Sequence, residues 1–169
     1  MYIKSILNTL YNDSSIETLM AHPHTIAARE DKATQAAAMG ITEDRISELV
    51  ETFYQRIRTD DLLGPIFNDK IKNWPPHLAR MKAFWTSIAI ESGRFHGNPM
   101  IKHLAIPGIE RAHFNHWLEI FNEVLPDVMP NANACQFFSE RAARIADSLM
   151  TGISIHRGGL PVVPQKSPT

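Results

Sequence analysis

Between residues 42 and 58 the apolar side chains fall at Ile46, Leu49, Val50, Phe53, Tyr54 and Ile57, at spacings i, i+3, i+4, i+7, i+8 and i+11. That is the stripe of an amphipathic helix, because 3.6 residues per turn brings positions three and four apart onto one face. Thr42 precedes it as a good N-cap, and the helix should fail near Thr59-Asp60-Asp61. No run elsewhere alternates as a half-buried strand does. The expected class is therefore all-α, with five or so helices in one domain. The chain's 169 residues, 44% of them apolar and 21% charged, are enough for one buried core.

Prolines and glycines divide the rest of the chain. Gly64-Pro65 forces a corner at which Ile66 and Phe67 turn inward. Pro75-Pro76 suit the first turn of a helix that carries Leu78, Met81, Trp85 and Ile88 on one face, with His77 on the same side. After the loop Arg94-Phe95-His96-Gly97, Asn98-Pro99 reads as an N-cap followed by a first-turn proline. The short helix they open presents Met100, His103 and Leu104, and Pro107-Gly108 must stop it. A longer helix follows with Ile109, Phe114, Trp117, Phe121 and Leu125, and Pro126 and Pro130 mark its end. The last helix runs from about 131 to 153, with Phe138, Ala142, Ile145, Leu149 and Ile153 on its stripe. Residues 1–40 include an alanine-rich run but no sustained period, and read as a loosely packed extension in which Met20 and Met39 are alternative starts. The expected division is 1–40 extension, 41–155 folded domain and 156–169 flexible tail.

Several function classes are disfavoured. A formal net charge of −1 with no run of lysines and arginines gives no footprint for nucleic acid. No stretch approaches the roughly 20 apolar residues of a membrane span. Asp13, Glu17 and Glu30 argue against a transit peptide, so a cytoplasmic location is expected. The single cysteine, Cys135, allows no internal disulfide and no C-x-x-C-H site, and reads as a small buried apolar residue.

Eight histidines make metal or heme chemistry worth weighing. His22, His24 and His156 lie in segments expected to be mobile. Glu110 with His113 makes one Glu-x-x-His element, and a di-iron bundle needs a second, which this sequence lacks. His103 stands on a short helix bounded by Asn98-Pro99 and Pro107, flanked by Met100 and Leu104. A lone histidine on an apolar face is most often a hydrogen-bonded core residue. Against that stands a lining of Phe53, Tyr54, His77, Met81 and Trp117, mostly apolar with three hydrogen-bond donors, which suits a large flat cofactor carrying a small polar ligand. Tyr54 and Trp117 as plain core aromatics remain the competing reading.

Phe53-Tyr54, Leu63-Gly64-Pro65-Ile66-Phe67, Trp74 with His77, Phe84-Trp85, Gly97-Asn98-Pro99 with His103-Leu104, and His113-Phe114 with Trp117-Leu118 and Phe121 occur in an order that resembles the group III truncated hemoglobins. The resemblance covers roughly Ile41 to Ile153. It implies a shortened globin fold, a two-on-two helical sandwich around a non-covalent heme b. By position, His103 matches the proximal iron ligand. Phe53, Tyr54, His77, Met81 and Trp117 match the distal lining, and Trp85 matches an aromatic near the heme. Arg80, Arg94 and Lys102 are candidates for the heme propionates.

Three classes then compete: a binding protein for O₂, CO or NO, a heme enzyme acting on peroxide or nitric oxide, and a helical module without cofactor. Histidine ligation that leaves the sixth iron position open serves both of the first two. Sustained turnover of NO or O₂ needs electrons, and without a Gly-x-Gly-x-x-Gly element any reductase is expected to be a separate protein. Ligand binding is placed first.

Overall fold

A computed structural model of the chain describes residues 23–90, 95 and 97–158, and among these it contains seven helices and no strand. They are α1 (Pro23–Ala38), α2 (Glu43–Thr59), α3 (Gly64–Lys70), α4 (Trp74–Ile90), α5 (Pro99–Leu104), α6 (Arg111–Val128) and α7 (Ala132–His156). The expectations for residues 1–22, for Arg94 and His96 and for the tail beyond 158 lie outside the described residues, as does the His24 side chain.

Helix α2 forms as its stripe requires. Thr42 Oγ1 accepts the Arg45 N–H at 3.2 Å, so a side chain satisfies one of the N–H groups that a helix start leaves without a partner. Glu43 and Asp44 lie in the first turn and Arg56 and Arg58 in the last, which suits the helix dipole. All six stripe residues are buried. Each contributes about 1.5–3 kcal/mol relative to exposure, which outweighs the individual capping effects. Helix α2 packs on both α4 and α6, and α6 packs on α7. The α2/α4 pair thus lies against the α6/α7 pair, the two-on-two arrangement the motif order implied.

Three details depart from the sequence reading. The Gly64-Pro65 corner is itself a short helix, α3, with Pro65 in its first turn where no N–H is needed. Helix α6 does not stop at Pro126 but runs to Val128. A proline in the last turn forfeits only one intrahelical bond. Here the Met129 N–H still donates to Leu125 O at 2.8 Å, and Arg45 Nη1 donates to Val128 O at 2.6 Å. Burial of Leu125 and Val128 holds the turn in place.

The third departure is α1, in a segment read as having no helical period. Its alanines favour a helix but offer little apolar area, so no stripe emerges from them. The helix packs on α4 and buries Ala36, and Met39 beyond it joins the core. Gly40 turns the chain with φ of +69°, a left-handed conformation natural to glycine. Asn131 locks this corner to α7, accepting from Ala134 N and donating to Met39 O, each at 3.0 Å.

The apolar interior forms two clusters rather than one. The larger gathers α2, α4, α6 and the start of α7 around Phe53, Phe121 and Phe138. The smaller contains Ile109, Phe114, Leu149, Met150 and Ile153, with Met100 and Leu104 of α5 packed on it. Leu118 and Ile145 touch both. No helix among the described residues is long and apolar enough to cross a membrane.

Candidate functional site

His103 is held by the shortest helix among the described residues. Asn98 caps that helix, its side-chain oxygen accepting from Ile101 N at 3.3 Å, and Pro99 fills the first turn. One turn on, His103 Nδ1 lies 2.8 Å from the carbonyl oxygen of Pro99. A carbonyl can only accept, so Nδ1 carries a proton, and in the neutral ring the lone pair is then on Nε2. The ring stands beside Phe114, with centroids 6.0 Å apart. The end of the Met100 side chain on α5 lies against Gly152 of α7, where a Cβ would meet its Sδ and Cε.

The other predicted residues meet on the larger cluster. The Tyr54 ring is edge-on to Phe53 at 5.0 Å and to His77 at 5.2 Å. Phe53 is also edge-on to Trp117 at 5.2 Å, so one buried phenylalanine sits between the two candidate donors. Trp117 in turn stacks on Phe121, with planes 9° apart. Burial pushes the Tyr54 hydroxyl far above the usual phenol range, so Tyr54 stays protonated and able to donate. His77 Nε2 is buried without a hydrogen-bond partner. Burial, and then the Arg80 charge, hold His77 below the usual histidine value and therefore neutral near pH 7.

The remaining candidates take plainer positions. Met81 is half-buried against the larger cluster. Trp85 lies in the core, stacked on Phe121 at 5.0 Å and edge-on to Phe138, and no ring contact joins it to Tyr54 or His77. Arg80 and Lys102 are exposed. His113 is absorbed by local structure, since its Nδ1 accepts the Glu110 N–H at 3.1 Å at the start of α6. Cys135 is a half-buried free thiol that burial pushes up, as a packing residue should be. No group of three or more His, Cys, Asp or Glu among the described residues is arranged to hold a metal ion, which argues against the di-iron alternative there.

Comparison with known proteins agrees with this fold. The bacterial-like globin family matches residues 37–150. The chain belongs to that family. A curated relative, the group 3 truncated hemoglobin of Campylobacter jejuni, is 34% identical over 110 residues, covering 63% of this chain and 86% of its own. The crystal structure of the group III truncated hemoglobin from Campylobacter jejuni superposes with a TM-score of 0.64 at 33% identity, over 67% of this chain and 91% of that one. The group III truncated-hemoglobin resemblance read from the motifs is thereby borne out, and the chain is a heme-binding globin.

The residues of the globin fit its cofactor. A heme-ligating histidine needs one ring nitrogen free and the other fixed by an acceptor, and the Pro99 carbonyl fixes that tautomer in His103. The unpartnered Nε2 of His77, beside Tyr54, is a buried polar atom awaiting a partner. Two ring neighbours of Tyr54 went unassigned in the sequence reading: Phe67 at 5.9 Å and Trp74 at 6.0 Å. Both stood within the quoted motifs, but on helices whose relative placement no periodicity reveals. Arg58 lies over the Trp74 ring at 4.7 Å, a cation–π contact that braces this wall.

Proposed function

We propose that this globin reversibly binds O₂, CO or NO at a heme b held non-covalently through His103, with Tyr54 and Trp117 donating hydrogen bonds to the ligand. Heme supplies an iron that takes a protein ligand on one side and a diatomic molecule on the other. The chain's own residues do the rest. His103 Nε2 is the iron ligand, kept in the right tautomer by Pro99. Tyr54 and Trp117 supply O–H and N–H donors from the larger apolar cluster, held by the ring of Phe53 between them. Phe53 and Met81 keep the lining apolar, Trp85 backs it through Phe121, and neutral His77 stands at the pocket entrance. Arg80 and Lys102 are exposed cations available to the propionates.

The observation that carries the reading is the Nδ1 hydrogen bond of His103, which in the neutral ring makes Nε2 the nitrogen with the free lone pair. An O₂ ligand gathers negative charge, so donors aimed at it are charge-assisted. The globin unit in this proposal is 41–155, with α1 docked outside it on α4. The test is an absorption spectrum of the heme-loaded protein in its ferric, ferrous and CO forms, followed by O₂ titration and removal. Five- or six-coordinate histidine–heme spectra with reversible O₂ uptake support the proposal. A preparation that takes up no hemin, or one that oxidises on every exposure to O₂, overturns it.

A further inference from the structure

His116 has partners on both ring nitrogens, and they belong to different parts of the fold. Nε2 lies 2.7 Å from Asp60 Oδ2, at the end of α2, and Nδ1 lies 3.1 Å from Glu119 Oε2, on α6. Carboxylates at neutral pH only accept, so both nitrogens must donate, and only the imidazolium can do that. Asp60 is itself anchored: its Oδ1 accepts from Leu62 N at 3.0 Å and Leu63 N at 2.7 Å, closing the turn into α3. The Asp60 side chain is 17% exposed and that of Glu119 68%, so Asp60 is the stronger, less screened partner.

The pair sits in a cleft of about 310 Å³ lined by Arg56, Thr59, Asp60, His116, Glu119 and Glu123, with Ile120 at its base. The other charges there have partners of their own. Arg56 reaches Glu123 at 3.1 Å and Asp127 at 3.9 Å, and the Thr59 hydroxyl bonds back to Arg56 O within its own helix. His116 is therefore the cation that Asp60 meets. Its neighbour in sequence is Trp117, while Asp60 lies six residues beyond Tyr54, and Phe53 touches both aromatic rings. The ion pair thus ties together, at one end of their crossing, the two helices that carry the donors.

We infer that His116 is a positioning residue for the ligand: as an imidazolium it clamps α6 to the end of α2, and its deprotonation loosens Trp117 and Tyr54 and speeds ligand release. The inference rests on the proposed role of those two donors. The electrostatics agree with the geometry. The Asp60 bond, then the Glu119 bond, hold the imidazolium above the usual histidine range against a smaller opposing effect of burial. For Asp60, burial acts upward, but the Leu63 and Leu62 N–H groups and His116 outweigh it and keep the carboxyl below its usual range. A raised histidine stabilises fully below its unfolded value of about 6.5, and that contribution is lost as pH rises through the folded value.

The test uses the full heme-loaded chain. His116 is titrated by NMR in the CO form, and O₂ dissociation is followed by stopped flow from pH 5.5 to 9 in wild type, His116→Gln and Asp60→Asn. The expected results are a His116 titration above about 6.5 that falls in Asp60→Asn, and a wild-type rate that rises by up to about fivefold through that titration. His116→Gln should be flat at the fast, high-pH rate. A wild-type rate profile that His116→Gln leaves unchanged overturns the inference, and so does a His116 that titrates at or below about 6.5 in wild type. If His116→Gln folds poorly, Asp60→Asn takes its place: the rise in rate should move to lower pH together with the His116 titration, and a profile identical to wild type overturns the inference. Failure of the donor reading shows differently, as an unchanged O₂ rate in Tyr54→Phe at one pH with the His116 titration intact.

Discussion

His103 Nδ1 and the carbonyl oxygen of Pro99 are 2.8 Å apart within a single six-residue helix, so the backbone that carries the histidine also sets its tautomer. In the neutral ring the unprotonated nitrogen is then Nε2. For the His103→Gly variant the expected outcome is loss of heme, or loose retention until imidazole is supplied, read from the ferrous–CO spectrum. An unchanged spectrum moves the iron ligand elsewhere, with His77 next in line.

Asn98 controls the same helix from its other end. A six-residue helix is far too short to persist by itself, so it depends on its cap and on packing against α7. Asn98→Ala removes the acceptor for Ile101 N and should cost about 1 kcal/mol of stability. Because His103 lies on the freed turns, hemin should transfer to an acceptor globin several times faster than from wild type. Equal transfer rates with a lowered Tm would show that the cap supports the fold but not the ligand.

Tyr54 and Trp117 are separated as donors or as core by removing the hydroxyl of one and the indole N–H of the other. A hydrogen bond to a charged group is worth about 1.5–3 kcal/mol, so Tyr54→Phe should weaken O₂ binding about tenfold or more, mostly through dissociation. CO carries less charge on its outer atom, and its affinity should change much less. Trp117→Phe should show the same selectivity with a larger loss of stability, because it also removes ring area from the stack on Phe121. Both rings touch Phe53, so the double variant should fall short of the product of the singles. O₂ dissociation within about twofold of wild type in both variants leaves the two residues as core, since a charge-assisted bond is worth more than that.

His77 should act as a gate. His77→Ala opens the space beside Tyr54 and Trp74 and should raise the CO association rate; an unchanged rate makes His77 a wall residue. Its pH signature is opposite to that of His116. A histidine held below its usual value stabilises the fold above the unfolded value of about 6.5, and that contribution is lost as pH falls through the folded value. Wild-type Tm should therefore fall with acidification below about pH 6.5 more steeply than that of His77→Leu, measured on matched heme-loaded samples.

Much of the chain's plan was legible in one dimension. The stripe from Ile46 to Ile57, the caps Thr42 and Asn98, and the stops after Thr59 and before Pro107 all depend on contacts within about one helical turn, so residue type and spacing determine them. The order of motifs was enough to indicate the globin family. It missed α1, because alanine stabilises a helix without marking a face, and it stopped α6 at Pro126, because local rules take no account of Val128 buried beyond the proline.

Only the tertiary structure decided which side chains meet. Asp60 and His116 are 56 positions apart, and Phe67, Trp74 and His77 gather on Tyr54 from two other helices. The division of the interior into two clusters, with Trp85 stacked on Phe121, likewise followed from how α6 packs on α2 and α7. Helical periodicity tells which face of each helix is buried. It carries no information about crossing angle or register between helices, which arise from the packing of ridges into grooves and from close approaches such as Met100 on Gly152.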